Sequence, residues 1–267
     1  MAPKMLPNRE KISIVIAVIT LTLGMTFLLP SALEQTNSQN WIWAERLMPL
    51  LVATLTYFGT VWIFSEDSGS QTNQQGGMLI HLILPVLSVY VLTVSLLQME
   101  RSATWWWIYF AGITLYAAVV LAEYQDFYYE GKHSPLAGIL LVAVSHALFF
   151  ILSAVFKLGV LRLILVIPGI FMAASFITLR MIKLRTDQVD WGWMFLMAIM
   201  VTQFAGGLFY LFLTPIQYAL ILTATLYCLI SLAAGVIEKR KGRSLYLEPS
   251  LMILLTVVIF VFASIPR

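Results

Sequence analysis

Long uncharged runs cut by short polar intervals make up most of this sequence. The clearest run, from Trp191 to Ile237, contains no Asp, Glu, Lys, Arg or His. A bilayer core of about 30 Å takes roughly 20 apolar residues as helix. This run is therefore too long for one span and suits two, with Thr214 and Pro215 at the turn. The same rhythm predicts helices over residues 12–33, 47–65, 77–98, 102–122, 135–156, 161–182, 191–213, 216–237 and 248–265. The runs are continuous rather than alternating with a period of two, so closed strands are not expected. Helices alone then satisfy a lipid-facing backbone. The expected fold is all-α, a polytopic transmembrane helical bundle of about nine spans, with residues 1–267 forming one integral membrane domain. Spans three, five and seven begin at similar intervals, but no residue pattern is shared between these units, so the interval reflects short loops rather than duplication.

Basic residues are retained on the cytoplasmic side of a membrane. One alternate set of inter-span segments holds Lys4, Arg9, Lys11, Lys132, Arg180, Lys183, Arg185, Lys239, Arg240, Lys241 and Arg243. The other holds only Arg46, Arg101, Lys157, Arg162 and Arg267. This bias puts the N-terminus in the cytoplasm and the C-terminus outside. Aromatic clusters fit interfaces at both levels: Trp41, Trp43 and Trp105 to Trp107 at the outer one, and Trp62, Tyr124, Phe127 to Tyr129, Trp191 and Trp193 at the inner one. The basic N-terminus ahead of Ile12 to Leu29 resembles a signal peptide. The apolar stretch exceeds the usual signal core, however, and Pro30 spoils the cleavage site after Ala32. It counts as the first span.

Composition agrees: 60% of residues are hydrophobic and 11% charged, against about 45–50% and about 25% in soluble domains. Although the net charge is +3, the basic residues sit beside spans rather than in a groove with aromatics, so nucleic acid is not an expected partner. One cysteine, Cys228, excludes an intramolecular disulfide and a Cys-x-x-Cys motif. Phosphate-binding loops, hydrolase elbows, zinc-protease motifs and a deep lysine for retinal are also missing.

Polar groups in hydrocarbon are costly and ask for a partner or a purpose. His146, near the middle of span five beside Ala143 and Ala147, reads as an interhelical hydrogen bond or as a ligand-cavity residue. Gln203, beside Ala198, Thr202 and Gly206 at spacing four, reads as glue between close-packed helices or as cavity lining. Pro168-Gly169 marks a kink, and broken helices expose carbonyls at membrane depth. His146, Gln203 and Pro168 are therefore the candidate cavity. His81 lies one turn before Pro85, which frees a carbonyl near it, so a kink role is expected. A shared haem is not: at 1.5 Å per residue, His146 lies about 10 Å deeper than His81. Neither a cofactor nor a metal is expected.

At the cytoplasmic face, Glu123, Asp126, Glu130 and His133 form a polar cluster with Arg180 close enough to snorkel or to pair with Glu123 or Asp126. Spacings of three and four put the carboxylates on one helical face, and hard divalent cations bind such faces. The plain reading is a solvated interfacial turn anchored by tyrosines. Lys239, Arg240, Lys241 and Arg243 suit anionic lipid headgroups, although topology is their first duty. These features favour a non-catalytic scaffold, assembly or accessory protein of the cell membrane, with lipids and other membrane proteins as partners. The alternatives are a carrier for a small or lipid-like molecule and an intramembrane lipid-modifying enzyme.

Overall fold

The computed structural model describes residues 9–34, 40–65, 75–100, 102–128, 135–159, 163–239 and 243–264. These residues form nine helices: α1 (Arg9–Glu34), α2 (Asn40–Ser65), α3 (Gln75–Leu97), α4 (Ala103–Tyr128), α5 (Pro135–Leu158), α6 (Leu163–Thr186), α7 (Trp191–Phe209), α8 (Pro215–Ile237) and α9 (Arg243–Ser264). Among the described residues, the seven from α2 to α8 are long and apolar enough to cross a membrane, and Leu245–Val261 of α9 is a shorter apolar stretch. The expected all-helical architecture is therefore present, with seven spans of sufficient length and apolarity.

The chain divides into two compact units, Met1–Leu141 and Val142–Arg267, and the boundary falls inside α5. In unit 1, α2 packs on α1 and α3, α3 packs on α4, and α1 also touches α3 and α4. Ile12, Val15, Ile19 and Leu23 recur at three- and four-residue spacing and are all buried, the stripe that a helix turns toward its neighbours. Gly59 lets α1 and α2 approach closely, since a Cβ there would stand 2.9 Å from Val15 Cγ1. Two bonds tie side chains of α4 to the backbone of other helices: Trp105 Nε1 donates to Leu96 O of α3 at 3.2 Å and Tyr109 Oη to Thr20 O of α1 at 2.7 Å. Trp105 is thus a core residue, 2% exposed, and only Trp106 and Trp107 of that triplet face outward.

In unit 2, α6 packs on α7 and α8, α7 on α8, and α8 on α9. The expected small-residue ridge lies partly in this core: Ala198 and Thr202 are buried, and Gly206 sits opposite Ile167. Helix α7 stops at Phe209, four residues before its expected end. Pro215 holds Thr214 extended, at φ −64° and ψ 154°. Thr214 then closes a capping box with Gln217, its backbone N–H donating to Gln217 Oε1 at 3.0 Å while its hydroxyl accepts from the Gln217 N–H at 3.3 Å. Thr214→Ala should cost about 1 kcal/mol, read as a lower thermal midpoint of the detergent-solubilised protein. At the same end, Lys157 Nζ donates to the Phe209 carbonyl at 2.6 Å, satisfying a carbonyl that the end of α7 leaves open.

Candidate functional site

Helix α4 runs to Tyr128 rather than to 122, and that extra length creates the most unusual feature of unit 1. Glu123 and Asp126, three residues apart, fall on the helix face turned toward α3. His81 arrives from α3, which runs unbroken through Pro85. His81 Nδ1 donates to Glu123 Oε2 at 2.9 Å and stands 3.7 Å from Asp126 Oδ2. The side chains are 5%, 0% and 8% exposed for His81, Glu123 and Asp126. One donor atom from each lies within 4.8 Å of the others. Phe127 closes on the imidazole edge-on at 5.3 Å and also meets Phe64 at 5.1 Å, while Phe64 stacks on Tyr124 at 6.1 Å. This aromatic wall keeps the trio in a low-dielectric setting, where charge pairing and hydrogen bonding are worth more than in water.

Two expectations change here. The solvated-turn reading does not hold for Glu123, which is fully buried within α4. The kink reading of His81 missed its polar partner, because a contact across 42 residues leaves no local signal. What the sequence does carry is the clue that α3 and α4 form a tight antiparallel hairpin, joined near residue 100. A group near the start of one helix then comes level with a group near the end of the other.

Chemically, the trio offers an imidazole nitrogen and two carboxylate oxygens. Imidazole suits Zn, Fe, Cu and Ni, and carboxylate suits Mg, Ca and Mn, so the mixture fits a divalent transition metal better than Mg²⁺ or Ca²⁺. Glu130 and His133, expected to extend the cluster, lie outside the described residues. Arg180 belongs to unit 2, where it is fully buried in α6.

The candidate cavity residues all belong to unit 2. His146 Nδ1 donates to Val142 O at 2.8 Å, one turn back on α5, and the ring meets Tyr227 of α8 edge-on at 5.2 Å. Gln203 is exposed beside Met200, Phe204, Gly207 and Leu208 in a shallow groove. Pro168 is exposed on α6. Neither of the two grooves described in this unit contains His146 or Pro168, and the three residues do not meet in either. Of the basic lipid-headgroup candidates, Lys239 is exposed just past α8 with a left-handed φ of 55°, Arg243 opens α9, and Arg240 and Lys241 lie outside the described residues.

The profile of one protein family, described as "Protein of unknown function (DUF5656)", matches residues 36–263. The chain belongs to this family. The matched stretch takes in α2 to α8 and all but the last residue of α9, so the positions of His81, Glu123 and Asp126 lie within it. No curated protein and no solved structure matches the chain.

Proposed function

We propose that this chain is a non-catalytic accessory protein of the cell membrane whose unit 1 holds a divalent transition-metal ion between α3 and α4. The reading places nine spans across the bilayer, with the N-terminus cytoplasmic and the C-terminus outside, and takes lipids and other membrane proteins as its partners. One observation carries it: His81, Glu123 and Asp126 bring three donor atoms within 4.8 Å of one another on side chains at most 8% exposed. Ionisable groups inside a span are costly and by default mark a functional site. Structural metal sites are usually closed by four protein ligands, whereas catalytic ones use three and keep an open position for water or substrate, so the ligand count by itself does not favour a structural role. The burial of this trio behind Phe127 and Phe64 favours a holding role over chemistry on a substrate.

The test is metal-dependent stability of the purified full-length chain in detergent. At a free Zn²⁺ or Mn²⁺ concentration about 100 times its dissociation constant, binding to the folded state adds about 2.7 kcal/mol. This appears as a raised thermal midpoint that a chelator reverses. Asp126→Ala should abolish the metal response. An equal response in wild type and variant, or none in either, would assign the trio to a hydrogen-bonded network and overturn the metal reading.

A further inference from the structure

We propose that a groove between α7, α8 and α9 in unit 2 binds one acyl chain of an amine-bearing zwitterionic phospholipid, whose headgroup is recognised by Arg185 and Glu248. This site is independent of the His81 centre in unit 1. The groove has a volume of about 470 Å³ and is walled by residues such as Phe204, Ile221, Leu229, Ile253 and Phe260, within the usual range for ligand sites of about 300–1,000 Å³.

Its walls leave an occupant nothing to hydrogen-bond. The two hydroxyls in the lining are turned back on their own helices, Thr225 Oγ1 donating to Ile221 O and Thr256 Oγ1 to Met252 O, both at 2.8 Å. The Cys228 thiol points to Pro249 O at 3.6 Å. With these groups satisfied, the groove presents hydrocarbon to its contents, and a polar or charged cargo would lose its hydration without compensation.

The polar end of the ligand is specified just beyond Cys228. Ser231 lies seven residues, or two helical turns, from the groove residue Ala224 and so shares its face of α8. Ser231 Oγ donates to Glu248 Oε2 at 2.8 Å, and the same oxygen lies 3.3 Å from an Arg185 guanidinium nitrogen. Arg185 also sits over the Tyr227 ring at 5.4 Å. Both charged side chains are partly open, 20% for Arg185 and 41% for Glu248. A guanidinium suits a phosphate, which it binds through paired donors, and a neighbouring carboxylate suits a primary ammonium. Together they complement a headgroup that carries both charges, rather than a purely anionic one. From Ser231 to Ile221 is ten residues of α8, about 15 Å at 1.5 Å per residue, room for a stretch of acyl chain along the groove.

The experiment titrates the delipidated full-length chain in detergent by native mass spectrometry with phosphatidylethanolamine, phosphatidylcholine and phosphatidylglycerol of matched chains. Phosphatidylethanolamine should bind as one equivalent, roughly tenfold tighter than the other two, the worth of one charge-assisted hydrogen bond. Glu248→Gln should remove that preference while retaining the chain. Val257→Trp, at a half-exposed position in the groove wall, should weaken all three lipids, with an unchanged thermal midpoint showing that the fold persists. Equal binding of the three lipids would mean a non-specific annular shell and overturn the proposal. Tighter binding of phosphatidylglycerol, or wild-type affinity in Val257→Trp, would overturn it as well. So would a dimer that Val257→Trp disrupts without any lipid preference, since the groove would then belong to a second copy of the chain.

Discussion

Glu123→Ala should destabilise the protein by about 1–3 kcal/mol, the cost of taking an acceptor from a buried polar group. Glu123 is fully buried and accepts the 2.9 Å bond from His81, so its removal leaves the imidazole without that acceptor behind the wall of Phe64 and Phe127. The cost measures the loss of the nearest acceptor in a buried setting, with Asp126 still 3.7 Å from the same nitrogen, rather than the net worth of the pair. A pair replaced as a whole by apolar residues of similar size can be close to neutral. Glu123→Gln keeps an oxygen at the same place and should lose less. Chemical denaturation of the purified full-length chain in detergent checks both, and a loss below about 1 kcal/mol for the alanine variant, the scale of an ordinary hydrogen bond, would show that water reaches the trio.

Gly169→Leu should destabilise unit 2 by about 1–3 kcal/mol through overpacking. A Cβ at this position would stand 2.6 Å and 2.7 Å from two ring carbons of Phe156 on α5, and a leucine adds three more carbons in the same direction. The better helix propensity of leucine returns at most about 1 kcal/mol over glycine, so the clash dominates. Because the obstacle is one aromatic ring, Phe156→Ala in the same chain should recover much of the loss, and a double-mutant cycle on thermal or denaturant midpoints measures the coupling. Additive effects of the two substitutions would place the cost elsewhere. The Pro168-Gly169 pair then has a packing explanation: α6 continues through Pro168, and the missing side chain at Gly169 admits the Phe156 ring.

Helix positions were readable in the chain because their cause is local. Each expected span coincides with a helix. Spans one, three, five and eight agree to within three residues at both ends, whereas α2 begins seven residues early, α4 ends six late, α6 ends four late, α7 ends four early and α9 begins five early. Helix α7 stops at Phe209, and Thr214, held extended by Pro215, opens α8. Helix α4 runs late because Glu123 and Asp126 are helix-compatible and find partners along its face. Helix α9 begins at Arg243 rather than near 248, which places Glu248 on the helix beside α8, where it meets Ser231. The candidate sites were legible only as residue types. The carboxylates at 123 and 126 were identified, but His81 was assigned to the neighbouring proline, and Trp105 was placed at the interface although it lies in the core.

Uncharged runs of about 20 residues, set off by Pro, Gly and basic clusters, determined by themselves that the chain is helical and rich in membrane-span-like segments; they gave about nine, of which seven among the described residues are long and apolar enough to cross a membrane. Hydrocarbon imposes that outcome on each segment separately, whatever its neighbours. Only the tertiary structure decided that His81 meets Glu123 and Asp126, that Arg185 and Ser231 meet Glu248, and that Gly169 makes room for Phe156. Each of these depends on which face of one helix turns toward another, and between apolar helices in lipid that choice rests on close packing and a few polar contacts, which no single segment encodes.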